Sequence, residues 1–206
     1  MTMSRSVRWH GPQAWQAALG LVLALALFLA VERMVVPLYR FDTPLDAAIP
    51  FLPLTWAVYV LFFPFIVGAA GIATPAAFHQ FKAGVVPAFI VSIVCFHLFP
   101  ETVPRPDPAA IENAFLRQRL ARLWALDLAS NGAPSLHVSM TCLACRMLWH
   151  THWRWLVAGA GALICLSTLT VKQHTVVDVA GGVLVALLCG WLATRWQARG
   201  AVHERA

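Results

Sequence analysis

Apolar residues along this chain follow neither the two-residue alternation of a half-buried strand nor the narrow stripe of a surface helix. They come in long blocks separated by short polar stretches. Six blocks stand out, at residues 15–36, 51–73, 83–100, 134–149, 155–171 and 175–194. Each approaches the roughly 20 residues a helix needs to cross the hydrocarbon core, the fourth being the shortest. Pro53, Pro64 and Pro87 lie inside blocks, where neighbouring helices can satisfy the carbonyls a proline leaves unpaired. The first block runs into Glu32-Arg33 with no small-residue cleavage site, so it reads as a retained span rather than a signal peptide. The pattern predicts an all-α fold, a polytopic membrane bundle of six transmembrane helices forming a single membrane domain over residues 1–206.

Only the connection at residues 101–133 is long. Asp107-Pro108 reads as an N-cap followed by a first-turn proline. Beyond it, Leu116, Leu120, Leu123 and Trp124 share one helical face, with Arg117, Arg119 and Arg122 elsewhere. That distribution predicts an amphipathic helix lying in the membrane interface between spans three and four.

Composition agrees with a lipid solvent. Hydrophobic residues make up 60% of the chain and charged ones 12%, against roughly 25% charged in a soluble domain. The net charge of +6 comes from two lysines, Lys82 and Lys172, and scattered arginines. With no basic run and no aromatic platform in a polar setting, nucleic acid is not an expected partner. The cations read instead as topology signals. Six spans put both termini on one side, and Arg5, Arg8, Lys82, Arg146, Arg154, Arg195, Arg199 and Arg205 mark that side as cytoplasmic. Arg40, Arg105, Arg117, Arg119, Arg122 and Lys172 fall on the other. The five cysteines all lie in apolar stretches, the Cys142-x-x-Cys145 pair included, and read as buried reduced thiols.

Three polar segments converge on the outer face in this topology: Val103-Pro104-Arg105-Pro106, Pro134-Ser135-Leu136-His137, and Ser167 to His174 with Asp178 beyond it. Ionisable groups at the ends of spans are functional candidates by default. His174 and Asp178 are four residues apart, so on a common sixth helix Asp178 would accept the Nδ1 proton of His174 and leave Nε2 free to attack. Ser135 reads as the N-cap of the fourth helix, whose first turn would offer an anion site. His137 projects from that turn, placed to protonate a leaving oxygen. Arg105 and Lys172 bring positive charge to the same face, as phosphoryl transfer requires.

Two other classes fit the sequence less well. A metal site from His97, His137, His174 and Asp178 lacks a ligand motif and would be opposed by Lys172 and Arg105. A transporter would place its ionisable groups near the midplane rather than at one face.

Taken together the segments resemble the three motifs of the phosphatidic acid phosphatase type 2 superfamily, over residues 83–193. Pro134, Ser135 and His137 match its Pro-Ser-x-His motif. Ser167, His174 and Asp178 match Ser-Arg-x5-His-x3-Asp, and Arg105-Pro106 matches the end of Lys-x6-Arg-Pro. Leu98 and Thr168 stand where the family has a lysine and an arginine, and Leu136 where it has a small residue. In this form the chain is similar to the inositol phosphorylceramide and sphingomyelin synthase branch, with Lys172 expected to replace a missing cation. The resemblance implies a site within residues 98–182, with His174 as nucleophile through a phosphohistidine, Asp178 orienting it and His137 as acid. Arg105, Ser135, Lys172 and Ser167 are expected to bind the phosphate. It also implies a lipid phosphate substrate and no metal or cofactor. Hydrolysis is the expected reaction, with transfer to a lipid alcohol such as ceramide or diacylglycerol as the alternative. The expected location is the bacterial inner membrane, with the site on its outer face. The lipid itself and the oligomeric state are left open.

Overall fold

A computed structural model describes residues 8–130 and 132–203, with side chains to residue 198. Arg5 and Arg205, and the side chain of Arg199, on which the topology argument partly leans, lie outside that description. The described chain is all-helical. Helix α1 spans Gly11–Glu32 and is followed by a short α2, Pro44–Ala48. A 3-10 turn, Pro53–Thr55, leads into α3, Trp56–Val60, and α4, Phe62–Ile72. Helix α5 is Pro75–Leu98, α6 Ala114–Leu126, α7 Leu136–Met147, α8 Arg154–Thr170 and α9 Val176–His203.

All six apolar blocks contain helix, but their lengths differ from the expectation. Four stretches are long and apolar enough to cross a membrane: Gly11–Glu32, Pro53–Ile72, Pro75–Leu98 and Val176–Ala198. The other two are shorter. Helix α8 has 17 residues and α7 only 12, about 25 and 18 Å at 1.5 Å per residue. Helix α5 begins at Pro75 rather than at residue 83, because Thr74 caps it, accepting from the Ala77 N–H at 3.2 Å, and Pro75 fits the first turn. The second block is broken at Leu61. Pro64 has no N–H for the carbonyl of Val60 and its ring crowds that carbonyl, so the helix restarts there.

Helix α7 is the hub, packed among α4, α5, α8 and α9, while α1 lies along α4 and α5. Phe62, Ile66, Phe78, Phe81, Leu143, Ala144 and Ile164 form the buried core between them. Val22, Ile90, Leu163 and Leu187, in contrast, are exposed on the outside of the bundle, where a soluble protein would carry charge.

The interfacial helix is corrected in two respects. Asp107 caps a separate 3-10 turn, Pro108–Ala110, and α6 is capped by Asn113 instead. The apolar face of α6 is turned onto the protein. Leu120 is fully buried against Tyr59, Ile111 and Val171, with Leu116, Leu123 and Trp124 alongside, so the stripe is satisfied by protein contacts.

The chain's antiparallel course collects six helix ends at one pole. These are the C-terminal ends of α1, α5 and α8 and the N-terminal ends of α3, α7 and α9. The three motif segments meet there.

Candidate active site

His174 does not lie on a helix with Asp178, as the spacing suggested. It sits in the turn between α8 and α9, one residue before the cap residue Thr175. The N–H groups of Gln173 and His174 both donate to the Thr168 carbonyl, at 3.0 and 3.2 Å, and Lys172 takes a left-handed φ of 55° that turns the chain back. Thr175 and Asp178 form a capping box. Asp178 Oδ2 accepts from the Thr175 N–H and Oδ1 from the Thr175 hydroxyl, both at 2.7 Å. The box brings Asp178 Oδ2 to 3.4 Å from His174 Nδ1. That is long for a hydrogen bond, as pairs of this kind often are before substrate tightens them. The spacing therefore brings the two side chains together, through a cap rather than a shared helical face.

Ser135 is the N-cap of α7, its hydroxyl accepting from the Val138 N–H at 3.3 Å. Its own N–H donates to the Asp178 carbonyl at 3.0 Å, which ties the start of α7 to the start of α9. Gly182 permits the approach, since a Cβ there would stand 2.7 Å from the Ser135 carbonyl oxygen. Ser139 closes the seam with bonds to the carbonyls of Ser135 and Gly182 at 2.9 and 3.0 Å. Leu136 and His137 follow the cap. Among the described residues nothing accepts from their N–H groups.

The ring of His137 is stacked on Tyr59 and packed against Phe62, with centroids 4.6 and 4.2 Å away. Its centroid is 6.2 Å from that of His174, and its Nε2 has no partner within the protein. Both histidines line a pocket that is partly open at its mouth. Asp127, Ser130, Gly132 and Gln173 complete its polar end. The rest is apolar, with Leu21, Leu25 and Phe28 from α1, Phe62 and Phe63 from α4, Phe89 and Phe96 from α5, and Met140 from α7.

The remaining expected residues are placed differently. Arg105 is buried beside the site but spent on α6, donating to the carbonyls of Asp127 and Leu128 at 2.6 and 2.9 Å and to Asp127 Oδ1 at 3.4 Å. Burial pulls its pKa down, opposed by Asp127, and pushes the Asp127 carboxyl up, opposed by Arg105. Lys172 does not face the pocket. Its ammonium donates to the carbonyls of Asp46 and Ile49 at 2.9 and 2.7 Å, holding the C-terminal end of α2, where a cation is favoured. Ser167 is buried in α8 with its hydroxyl bonded to the Ile164 carbonyl at 2.6 Å. His97 is exposed on α5 and bonded to the Ile93 carbonyl, away from the two histidines.

Asp127, Gln173 and Glu101 escaped the sequence reading. Gln173 bridges Asp127 Oδ2 and the Tyr59 hydroxyl, at 3.0 and 3.4 Å, and Glu101 is buried next to Asp178. The acid at the end of an apolar span was a usable signal for Glu101. Nothing local marked Asp127.

Comparison with known proteins places this geometry in a family. The chain is similar in fold to the crystal structure of Aquifex aeolicus LpxE, at 18% identity and a TM-score of 0.50, over 84% of this chain and 95% of that one. No curated protein sequence matches it. The sequence profile of the PAP2 superfamily matches residues 84–200, which span α7, α8, nearly all of α9 and both histidines of the pocket. The chain belongs to the PAP2 superfamily.

Proposed function

We propose that this protein is a membrane-embedded lipid phosphate phosphatase that works through a phosphohistidine on His174. The observation that carries the reading is the pair of rings, 6.2 Å apart, at the polar end of a pocket whose other walls are hydrocarbon. A phosphate fits between the rings while the lipid's apolar portion lies along α1, α4 and α5.

In this reading His174 Nε2 attacks phosphorus, and Asp178 holds the proton on Nδ1. The bond from phosphorus to the lipid oxygen breaks, and His137 gives its proton to that oxygen. Water then attacks the phosphohistidine and loses a proton to His137, and inorganic phosphate departs. The charge developing on the equatorial oxygens is met by the N–H groups of Leu136 and His137 and the positive end of α7, which Ser135 holds in place. Arg105 contributes only indirectly, by holding Asp127, which lines the pocket. Lys172 and Ser167 shape the turn that carries His174 and need not touch the phosphate. None of these steps calls for a metal ion.

All six apolar helices cross the bilayer in this proposal, the short α7 enclosed by α4, α5, α8 and α9, and α8 packed on α7 and α3 at the edge of the bundle. Both termini are cytoplasmic, the site opens at the outer face of a bacterial inner membrane, and α6 covers the site there. The test is phosphate release from a panel of lipid phosphates, with and without EDTA and with and without a diacylglycerol or ceramide acceptor. The expected result is EDTA-resistant release that does not depend on an acceptor and disappears in His174→Ala. Full activity in that variant, or turnover only with the acceptor, would overturn the proposal.

A further inference from the structure

Glu101 lies just beyond the end of α5 and is 1% exposed. Its main chain is held from two sides. The N–H groups of Leu38 and Tyr39 donate to the Pro100 carbonyl at 2.7 and 2.9 Å, that of Thr102 donates to Tyr39 at 2.9 Å, and that of Val103 to Ala129 at 2.8 Å. The side chain is thereby committed to the floor of the site, where its carboxyl faces that of Asp178. Gly132 marks where they meet: a Cβ at that position would collide with Glu101 Oε1 and stand 2.7 Å from Asp178 Oδ2. The backbone N–H of Gly132 is near Glu101, but neither carboxyl oxygen has a well-aligned donor among the described residues.

Two carboxyls in contact and shielded from water do not both ionise. Asp178 already receives the N–H and hydroxyl of Thr175 and faces His174. Glu101 receives no comparable donor, so the shared proton resides on it. We propose that Glu101 is a positioning residue, a neutral carboxylic acid whose O–H donates to Asp178 and fixes the oxygen that holds His174 Nδ1. The inference rests on the reading of His174 as nucleophile. The groups facing Glu101 are Asp178 from α9, the Gly132 N–H from the loop before α7, and Asp42, itself paired with Arg40. His174 lies beyond Asp178. Burial first, and then the charge of Asp178, pushes the Glu101 carboxyl up to about 9, so the proton is present through the neutral range.

The test compares the full-length wild type with Glu101→Gln, Glu101→Leu and His174→Ala on the same lipid phosphate. An amide N–H can take over the donation, so Glu101→Gln should keep kcat within about threefold. Glu101→Leu should lower kcat about 10- to 100-fold at similar KM, the size expected for a hydrogen bond to a charged partner. The acid limb of its pH profile should also move to higher pH, as an unrestrained Asp178 holds the imidazolium more strongly. Equal kcat in wild type and Glu101→Leu, or equal losses in Gln and Leu, would overturn the proposal. Activity surviving in His174→Ala would instead break the nucleophile reading.

If Glu101→Leu does not fold, thermal unfolding of wild type and Glu101→Gln decides. A carboxyl whose folded pKa lies above its unfolded value contributes stability that is complete below the unfolded value, near 4.5, and is lost as pH rises through about 9. Wild type should therefore lose Tm relative to Glu101→Gln between about pH 6 and pH 9. A Tm difference independent of pH would refute the shared proton.

Discussion

Two helix starts stand side by side in the site, and they are finished in different ways. At α9 the first turn is largely closed: Thr175 and Asp178 cap each other, and the Val176 N–H is taken by Asp46 Oδ1 of α2 at 2.7 Å, which leaves only the Val177 N–H without an acceptor among the described residues. At α7 the cap Ser135 uses one N–H, that of Val138, and the N–H groups of Leu136 and His137 meet no acceptor among the described residues. Both starts have the same dipole and the same orphan donors. In the proposed mechanism α9 therefore serves as the joint holding His174, and α7 as the end that receives the phosphate. Only α7 presents residues from its first turn, Leu136 and His137, to the pocket.

Three substitutions sharpen or break that contrast. The largest effect belongs to His137→Ala, which removes the proposed acid at the open end and should lower kcat by about 10²- to 10⁴-fold, measured as phosphate release. An unchanged kcat would mean that α7 supplies no proton. Leu136→Pro comes next. Proline is tolerated at the first helical position, and Ser135 is already extended, with ψ 115°. The variant thus loses one N–H with α7 intact, and kcat should fall about tenfold or more, as for other donors aimed at a developing charge. The control is Leu136→Ala, which keeps the N–H; matched losses in the two variants would assign the effect to the side chain. The smallest catalytic effect belongs to Lys172→Met. Its ammonium serves α2, so the variant should lose about 1–2 kcal/mol of stability, seen as a lower Tm, with kcat within a few-fold of wild type. A collapse of kcat at unchanged Tm would restore Lys172 to the phosphate site.

Much of this architecture was legible because apolar blocks and caps are local signals. Pro134-Ser135 announced the start of α7, and the four-residue spacing of His174 and Asp178 announced their contact. The spacing was right for the wrong local structure. Thr175 with Asp178 three residues on is itself a capping signature, and it shifts the start of α9 past His174. Lys172 shows the limit of proximity in sequence, because two residues from His174 its left-handed backbone sends the side chain to α2. The same limit hid Asp127, and it hid what Glu101 faces, though not that a buried acid ends a span. Their environments come from Asp178, Gly132, Arg105 and Gln173, brought together only by folding. The fourth block was visibly the shortest, but that a 12-residue α7 would hold was beyond reach, since such a helix depends on neighbours that keep it in the bundle.

The central claim is that His174 takes the phosphoryl group. The direct measurement is to mix enzyme with a lipid carrying radiolabelled phosphate, quench within the first turnover under alkaline conditions that preserve phosphohistidine, and locate the label by mass spectrometry. The account predicts label on His174 in wild type, and neither label nor turnover in His174→Ala. Label on another residue, or turnover that persists in His174→Ala, would contradict it.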